Sequence, residues 1–257
     1  MPKGSAFDPD AQAFITAAAI TDNTQQNAIN TLVIALKGYS IWTKFKAIYP
    51  IVGGTASSHK YNLKDPRDLD AAFRLQFASG WTHSATGMTP SVTFANTFFN
   101  SNSFALLNSH HISYYSRSNV NLNQVEIGNQ LGASATNLNA RFTNISYFRI
   151  NATTTGLLGY ISAVDTDSRA LYIANRTASN VVNGWRNSVK IIIGTVASVS
   201  LPNNNMYIGA LNNGGTATNN STKQCAFASI GDGLTDTDVA NFYTAVNAYQ
   251  VALSRNF

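Results

Sequence analysis

Apolar positions recur at helical spacing over the first forty residues, and from Phe45 onward the pattern turns to alternation. Asp8 followed by Pro9 marks an N-cap with proline in the first helical turn. Phe14, Ala17 and Ala18 share one face of the Ala-rich stretch that ends at Ile20. Thr21-Asp22-Asn23-Thr24 breaks and recaps the chain, and Ile29, Leu32, Val33 and Leu36 then follow on one face up to Gly38. Two amphipathic helices joined by a short link predict an α-hairpin. Its apolar faces must bury against each other and against either the body or a neighbouring subunit.

Beyond this hairpin, turn residues separate candidate strands at 45–52, 60–63, 72–77, 91–99, 111–116, 125–129, 141–151, 159–164, 170–176, 180–186, 189–194, 205–210 and 225–230. Many short strands punctuated in this way are the signature of a sandwich or barrel. Ile112, Tyr114 and Ser116 face one way, and Ser113, Tyr115 and Arg117 face the other. Asn183-Gly184 and Asn187-Ser188 offer tight turns, and 212–221 reads as one long surface loop. Thr235 with Asp238 forms a capping box in which Asp replaces the usual Glu. Val239, Phe242, Val246, Tyr249 and Leu253 then make a single apolar stripe along a closing helix. The expected division is a helical hairpin over 1–42 and a β-sandwich with its C-terminal helix over 43–257.

Several blocks carry a resemblance. Met206-Tyr207-Ile208-Gly209-Ala210, a variable loop, and then Cys225-Ala226-Phe227-Ala228-Ser229-Ile230-Gly231-Asp232-Gly233-Leu234-Thr235-Asp236 leading into a helix resemble the end of laminin-G/concanavalin A-like domains. The hairpin around Trp185-Arg186-Asn187-Ser188 is similar to the family's hairpin with a Tyr/Trp-x-Asn-Gly turn, with Ser188 in place of the glycine. The blocks from Leu36 to Pro50 and from Asn62 to Leu75 look like a subset of bacteriophage virion proteins that bear such a domain at their distal end. This resemblance spans most of the chain, from Asp8 to Leu253. It implies a mainly β, concanavalin A-like (LamG-type) antiparallel jelly-roll sandwich in a tail-fibre, head-fibre or capsid-decoration protein of the virion, with a homotrimer as the favoured assembly. It does not supply a ligand.

Composition adjusts this picture. Only 11% of residues are charged, against about a quarter in ordinary domains, whereas 30 Asn, 25 Thr and 24 Ser wet the surface with amides and hydroxyls. The net charge of +5 reflects scarce acids rather than clustered bases, and with no run of three Lys or Arg nucleic acid is not an expected partner. The single Cys225 excludes an intrachain disulfide framework and a Cys-rich zinc site. The N-terminal MPKGSAFDPD lacks a signal-type apolar core, and the apolar stretch from Ile191 to Leu201 is too short to span a bilayer. The expectation is synthesis in a host cytoplasm followed by assembly into a virion, without membrane insertion.

Candidate chemistry is sparse. A glycosidase needs two carboxylates about 5–9 Å apart, and Glu126 is the only glutamate, with no second acid near it along the strand. Asp165-Thr166-Asp167 offers oxygen ligands that could suit calcium, or simply an Asx-capped turn. His110 and His111, adjacent on a strand, point to opposite faces and cannot easily share an ion, while His59 and His83 fall in loops. Cys225 lies in an apolar strand, where a thiol is inert packing, and no Gly-x-Ser-x-Gly elbow occurs. Lys64-Asp65-Pro66-Arg67-Asp68-Leu69-Asp70 is the densest charge cluster; Arg67 and Asp68 are candidates for docking onto a neighbouring virion protein, against the plainer reading of local surface ion pairs.

The aromatics carry the ligand expectation. Trp81, Tyr172 and Trp185, with Asn212 and Asn213 on the 212–221 loop, would stack and hydrogen-bond a host-surface glycan, although both Trp residues suit a sandwich core equally well. Together these features point to a non-enzymatic, surface-exposed virion protein attached to other virion proteins through its N-terminal helices, because a two-helix unit cannot bury both faces alone. A depolymerase or a lectin-type module on the same fold is the alternative.

Overall fold

Local capping sets the helices. The structure, a computed structural model, describes residues 7–257; the first six, part of the N-terminal segment read above for a signal peptide, lie outside the described residues. Asp8 accepts from the Asp10 amide at the start of α1 (Pro9–Ala17), and Asp22 accepts from the Gln25 amide at the start of α2 (Asn23–Gly38). Both arms of the Thr235–Asp238 capping box are formed at α5 (Asp236–Ala252). The one-turn helices α3 (Ala56–His59) and α4 (Ser101–Phe104) lie between strands.

The body is a mainly β sandwich of two antiparallel sheets, with the three long helices laid across one of them. The middle sheet runs in the order β13 (Val189–Thr195), β12 (Val181–Arg186), β11 (Ala170–Ala178), β6 (His110–Ser116), β17 (Cys225–Gly231), β4 (Gly87–Pro90) and β3 (Trp81–Ser84). β1 (Phe45–Tyr49) pairs with the C-terminal half of β17, whereas β4 meets β17 at Cys225. The outer sheet runs β10 (Ile161–Val164), β9 (Ile145–Thr153), β8 (Ser134–Phe142), β7 (Ile127–Leu131), β14 (Asn205–Ile208), β5 (Ala95–Asn100) and β2 (Gln76–Phe77). A short hairpin of β15 (Leu211–Asn213) and β16 (Thr216–Thr218) joins it through a parallel contact between β15 and β7.

Alternation along the strands divides the core in two. Ile112 and Tyr114 of β6 and Ala228 and Ile230 of β17 meet Leu138, Ala140, Phe148 and Ile150 of the outer sheet. On the reverse face Tyr115, Leu171, Ile173, Trp185 and Phe227 meet Leu32, Leu36, Phe242, Val246 and Tyr249 of the helices. Every residue of β6 and β17 is therefore buried, an unusual state for antiparallel strands, which commonly leave one face to water.

The N-terminal hairpin belongs to this same packing. Phe14, Ile29, Leu32 and Val33 share one apolar cluster with α5 and the middle sheet. The boundary drawn at residue 42 follows chain order and not packing. The hairpin's buried face is satisfied within the chain, so the premise that it must seek a neighbour to bury that face no longer applies.

Several strand boundaries differ from expectation. The stretch 141–151 is two strands with a turn at Thr143-Asn144, both at positive φ (50° and 59°), and β8 lies in a region read as irregular. Asn183-Gly184 is not a turn but the middle of β12, paired on both edges. The 212–221 loop contains the β15–β16 hairpin, and 60–63 forms only an isolated bridge between Asn62 and Asp65. The Asn187-Ser188 turn joins β12 to β13, with Asn187 at φ 54°.

Candidate functional site

The open face of the outer sheet holds a groove of about 420 Å³, within the usual range of ligand pockets. Its floor is set by strand register: Asn137 of β8 lies opposite Arg149 of β9, and Asn139 lies opposite Tyr147. Because successive side chains alternate, these four share the face that the inward Leu138, Phe148 and Ile150 leave free. On the other side of Asn137 the paired residue is Gly128, where a Cβ would come within 2.6 Å of the Asn137 Cβ. Glycine at that position lets β7 and β8 close up around the amide.

The segment between β9 and β10 completes the wall. The Tyr160 hydroxyl accepts from Asn137 Nδ2 (2.7 Å), and its ring meets Tyr147 edge-on with centroids 5.7 Å apart. The Arg149 guanidinium lies against the Tyr160 ring, 3.7 Å from its centroid, and donates from Nη2 to the Gly156 carbonyl (3.0 Å). Phe142 and Leu211 supply apolar edges, and Asn123, Gln130 and Asn219 extend the amide lining. Three buried polar atoms in this groove have no hydrogen-bond partner: Asn137 Oδ1, Asn139 Oδ1 and Arg149 Nε. Buried polar atoms are nearly always satisfied, and these three belong to residues that line one groove. No Asp or Glu lines it.

The residues singled out from sequence fall elsewhere. Tyr172 is fully buried between the sheets and donates to the Asp165 carboxylate; burial raises its phenol pKa. Trp185 lies opposite Ile173 near the end of β12, buried on the helix side. Neither ring is available to a ligand, and the two lie on opposite faces of the middle sheet. Trp81 is half-buried at the edge of the inter-sheet core, with Nε1 donating to the Phe94 carbonyl (3.1 Å) and its ring edge-on to Phe77. Asn212 is buried, donating to the Asn205 carbonyl (2.7 Å) and accepting from the Gly215 amide (2.8 Å), whereas Asn213 is exposed.

The acidic candidates are likewise committed to the chain. Asp165 accepts from Ser146 (2.8 Å), Tyr172 and the Asp167 amide (3.0 Å), and Arg186 stands 3.5 Å away. Asp167 is paired with Arg169 at 2.7 Å. A calcium ion would have to displace these donors beside a guanidinium, so the residues do not fit one. Among the described residues no group of three or more His, Cys, Asp or Glu is placed to hold a metal ion. His110 and His111 do point to opposite faces, bonding Asn151 and Asp232 respectively. His59 and His83 meet, with Nδ1 atoms 2.9 Å apart. Arg67 pairs with Asp65, and Asp68 with Lys60 and Arg74, on an exposed loop. Glu126 is buried in an ion pair with Lys223 (3.0 Å). Cys225 is buried, and its thiol pKa is pushed up to about 12.

Comparison with known proteins extends the fold alone. No family model matches the chain, and no curated protein does. Among solved structures, the binding domain of botulinum neurotoxin serotype D superposes with a TM-score of 0.52 at 9% identity, covering 80% of this chain and 52% of that one. Domain 4 of AbnA, an extracellular arabinanase from Geobacillus stearothermophilus seen with arabinotriose, gives 0.47 at 10% identity over 77% of this chain and 98% of that one. The NanB sialidase of Streptococcus pneumoniae gives 0.44 at 11% identity over 59% of this chain and 26% of that one. The chain thus spans about a quarter of the sialidase and about half of the neurotoxin domain. The architecture is a concanavalin A-like jelly-roll sandwich. No helix among the described residues is long and apolar enough to cross a membrane.

The groove escaped the sequence reading for an identifiable reason. With 141–151 taken as one strand, Asn137 and Asn139 fell outside any element and Tyr147 and Arg149 had no cross-strand partners. The usable signal was alternation itself: Asn137, Asn139 and Arg141 interleave with Leu138 and Ala140, as Tyr147 and Arg149 do with Phe148 and Ile150.

Proposed function

We propose that this chain is a non-enzymatic, surface-exposed structural protein of a bacteriophage particle that binds host-surface saccharide through the groove on its outer sheet. The observation that carries the binding reading is the convergence of Tyr147 and Tyr160 with three unpartnered buried polar atoms, Asn137 Oδ1, Asn139 Oδ1 and Arg149 Nε, in one groove. Sugars lay apolar C–H faces on aromatic rings while amides and guanidinium groups meet their hydroxyls. The absence of carboxylates from the lining supports binding over hydrolysis, which needs a paired acid and base or nucleophile. The virion assignment rests on the resemblance of residues 36–50 and 62–75 to phage structural proteins. A homotrimer attached to other virion proteins is part of the same proposal; with α1 and α2 buried internally, that contact would use their polar outer faces.

Two measurements test the reading separately. Glycan-array screening of the purified protein should give saccharide hits that Tyr147→Ala weakens by about 3- to 10-fold, the worth of one aromatic contact. An array on which wild type and variant are equally silent would remove the binding function. Mass spectrometry of purified phage particles, with cryo-EM of the intact particle, should find the polypeptide on the outer surface; its absence there would remove the structural role.

A further inference from the structure

We infer that the saccharide taken by this groove carries a carboxylate, as uronic and sialic acids do, and that Arg149 is the group that receives it. The inference rests on the saccharide-binding reading and adds the class of sugar. Four long cationic side chains are almost wholly enclosed among the described residues, and their partners differ. Lys223 pairs with Glu126 and also donates to Gln124. Arg176 donates to the carbonyls of Ile150, Ala178 and Ser179. Arg255 donates to the carbonyls of Ile51, Pro50 and Ala226 and to the Gln250 amide oxygen. Arg149 has one such bond, to Gly156. It has no carboxylate within ion-pair distance among the described residues, and no acid stands anywhere in the lining of the groove.

A guanidinium keeps its charge in any protein setting near neutral pH, and it carries five donors in a planar fork that matches a carboxylate. Burial disfavours that charge at Arg149, and among the described residues no carboxylate balances it. Tyr160 lies against one face of the plane, and Gly156 takes one edge. Nε has no partner, and Arg149 lines the groove together with Asn137 and Asn139, whose Oδ1 atoms are likewise unpartnered. The combination is complementary to one molecule: an anionic oxygen pair for Arg149, hydroxyl donors for the two amide oxygens, and a C–H face for Tyr147. A neutral sugar would satisfy the amides and the ring and leave the cation unpaired.

The test is a titration of the full-length protein, followed by NMR at millimolar ligand, with glucuronate, galacturonate and N-acetylneuraminate, each against its methyl ester. Esterification removes the charge and keeps every hydroxyl. At least one acid should bind about 10- to 100-fold more tightly than its ester, the worth of a charge-assisted pair. In Arg149→Gln the acid should fall to the level of the ester, while Tyr147→Ala should weaken both alike. Because Arg149 is enclosed, the variant's thermal melt is checked first; if it fails to fold, the wild-type acid-to-ester ratio and its decline with added salt decide the matter. Equal binding of acids and esters overturns the carboxylate inference and leaves saccharide binding standing. Acid preference that survives in folded Arg149→Gln overturns the assignment to Arg149. Binding of neither acids nor esters overturns both this inference and the reading beneath it.

Discussion

The one glutamate in the chain shows how a residue's surroundings decide its role. Glu126 and Lys223 are both fully enclosed, and the carboxylate also accepts from the Ala140 amide and from Ser221 Oγ (3.0 Å). Breaking a buried pair by removing one partner typically costs about 3–5 kcal/mol, because the remaining charge is stranded. Lys223→Met should therefore lower the stability read from urea unfolding by about that much. Joining it with Glu126→Leu should recover only part of the loss, since the Ala140 amide and Ser221 hydroxyl would then lack their acceptor. A double variant as stable as wild type would mean that the carboxylate does not hold those two donors.

At the level of elements, the hairpin of α1 and α2 can be tested as internal structure or as an attachment arm. Leu32 is buried against α5 and the middle sheet, whereas Ile34, two residues on, is 53% exposed. Leu32→Ala should cost about 2–5 kcal/mol in a chemical melt, while Ile34→Ala should stay within about 0.5 kcal/mol. An unaltered melt for Leu32→Ala, together with a change in oligomeric state, would restore the arm. Helices, caps and the sandwich class were legible because each has a short-range cause: Asp8-Pro9, Asp22, the Thr235–Asp238 box and the stripe through Val239 to Tyr249 all act within a few residues. The outer sheet was less so. Thr143 adopts positive φ although β-branched residues rarely do, so Asn144 alone marks the turn that separates β8 from β9. Asn183-Gly184, a strong turn dipeptide, is overridden inside β12, where Gly184 admits the Phe148 ring that a Cβ would meet at 2.5 Å. Because the groove is built by cross-strand register between β8 and β9, losing that turn lost the site with it.

Over the whole molecule, the burial of both faces of the middle sheet makes two adjacent histidines act together. His110 enters the inter-sheet core, where its Nδ1 lies 3.2 Å from Asn151 Oδ1. His111 enters the helix-side layer, between Phe45 and Phe242 and 2.6 Å from the Asp232 carbonyl. Burial, which disfavours the imidazolium, pushes His110 down to about 4 and His111 down to about 3 from the ordinary 6.5. In the unfolded chain both take up a proton near pH 6.5, so between that value and about pH 4 the unfolded state binds more protons than the folded one. Stability is complete above pH 6.5 and is lost as the pH falls through this window, at about 1.4 kcal/mol per pH unit for each ring. His59, likewise pushed down to about 3 by burial, acts in the same direction. The ion-paired carboxylates Asp8, Asp65, Asp68, Asp167 and Asp238 have lowered pKa values, so their contribution is lost as the pH falls below about 5, where an unfolded Asp begins to protonate. Above about pH 5 the histidines therefore act alone. Urea midpoints should fall steadily from pH 7 to pH 5, before any carboxylate is appreciably titrated, and the slope should flatten by about a quarter to a third in a folded His111→Asn variant. A midpoint unchanged across that interval would mean that the rings are reached by water and protonate in place, and the layered packing on both sides of β6 would have to be looser than described.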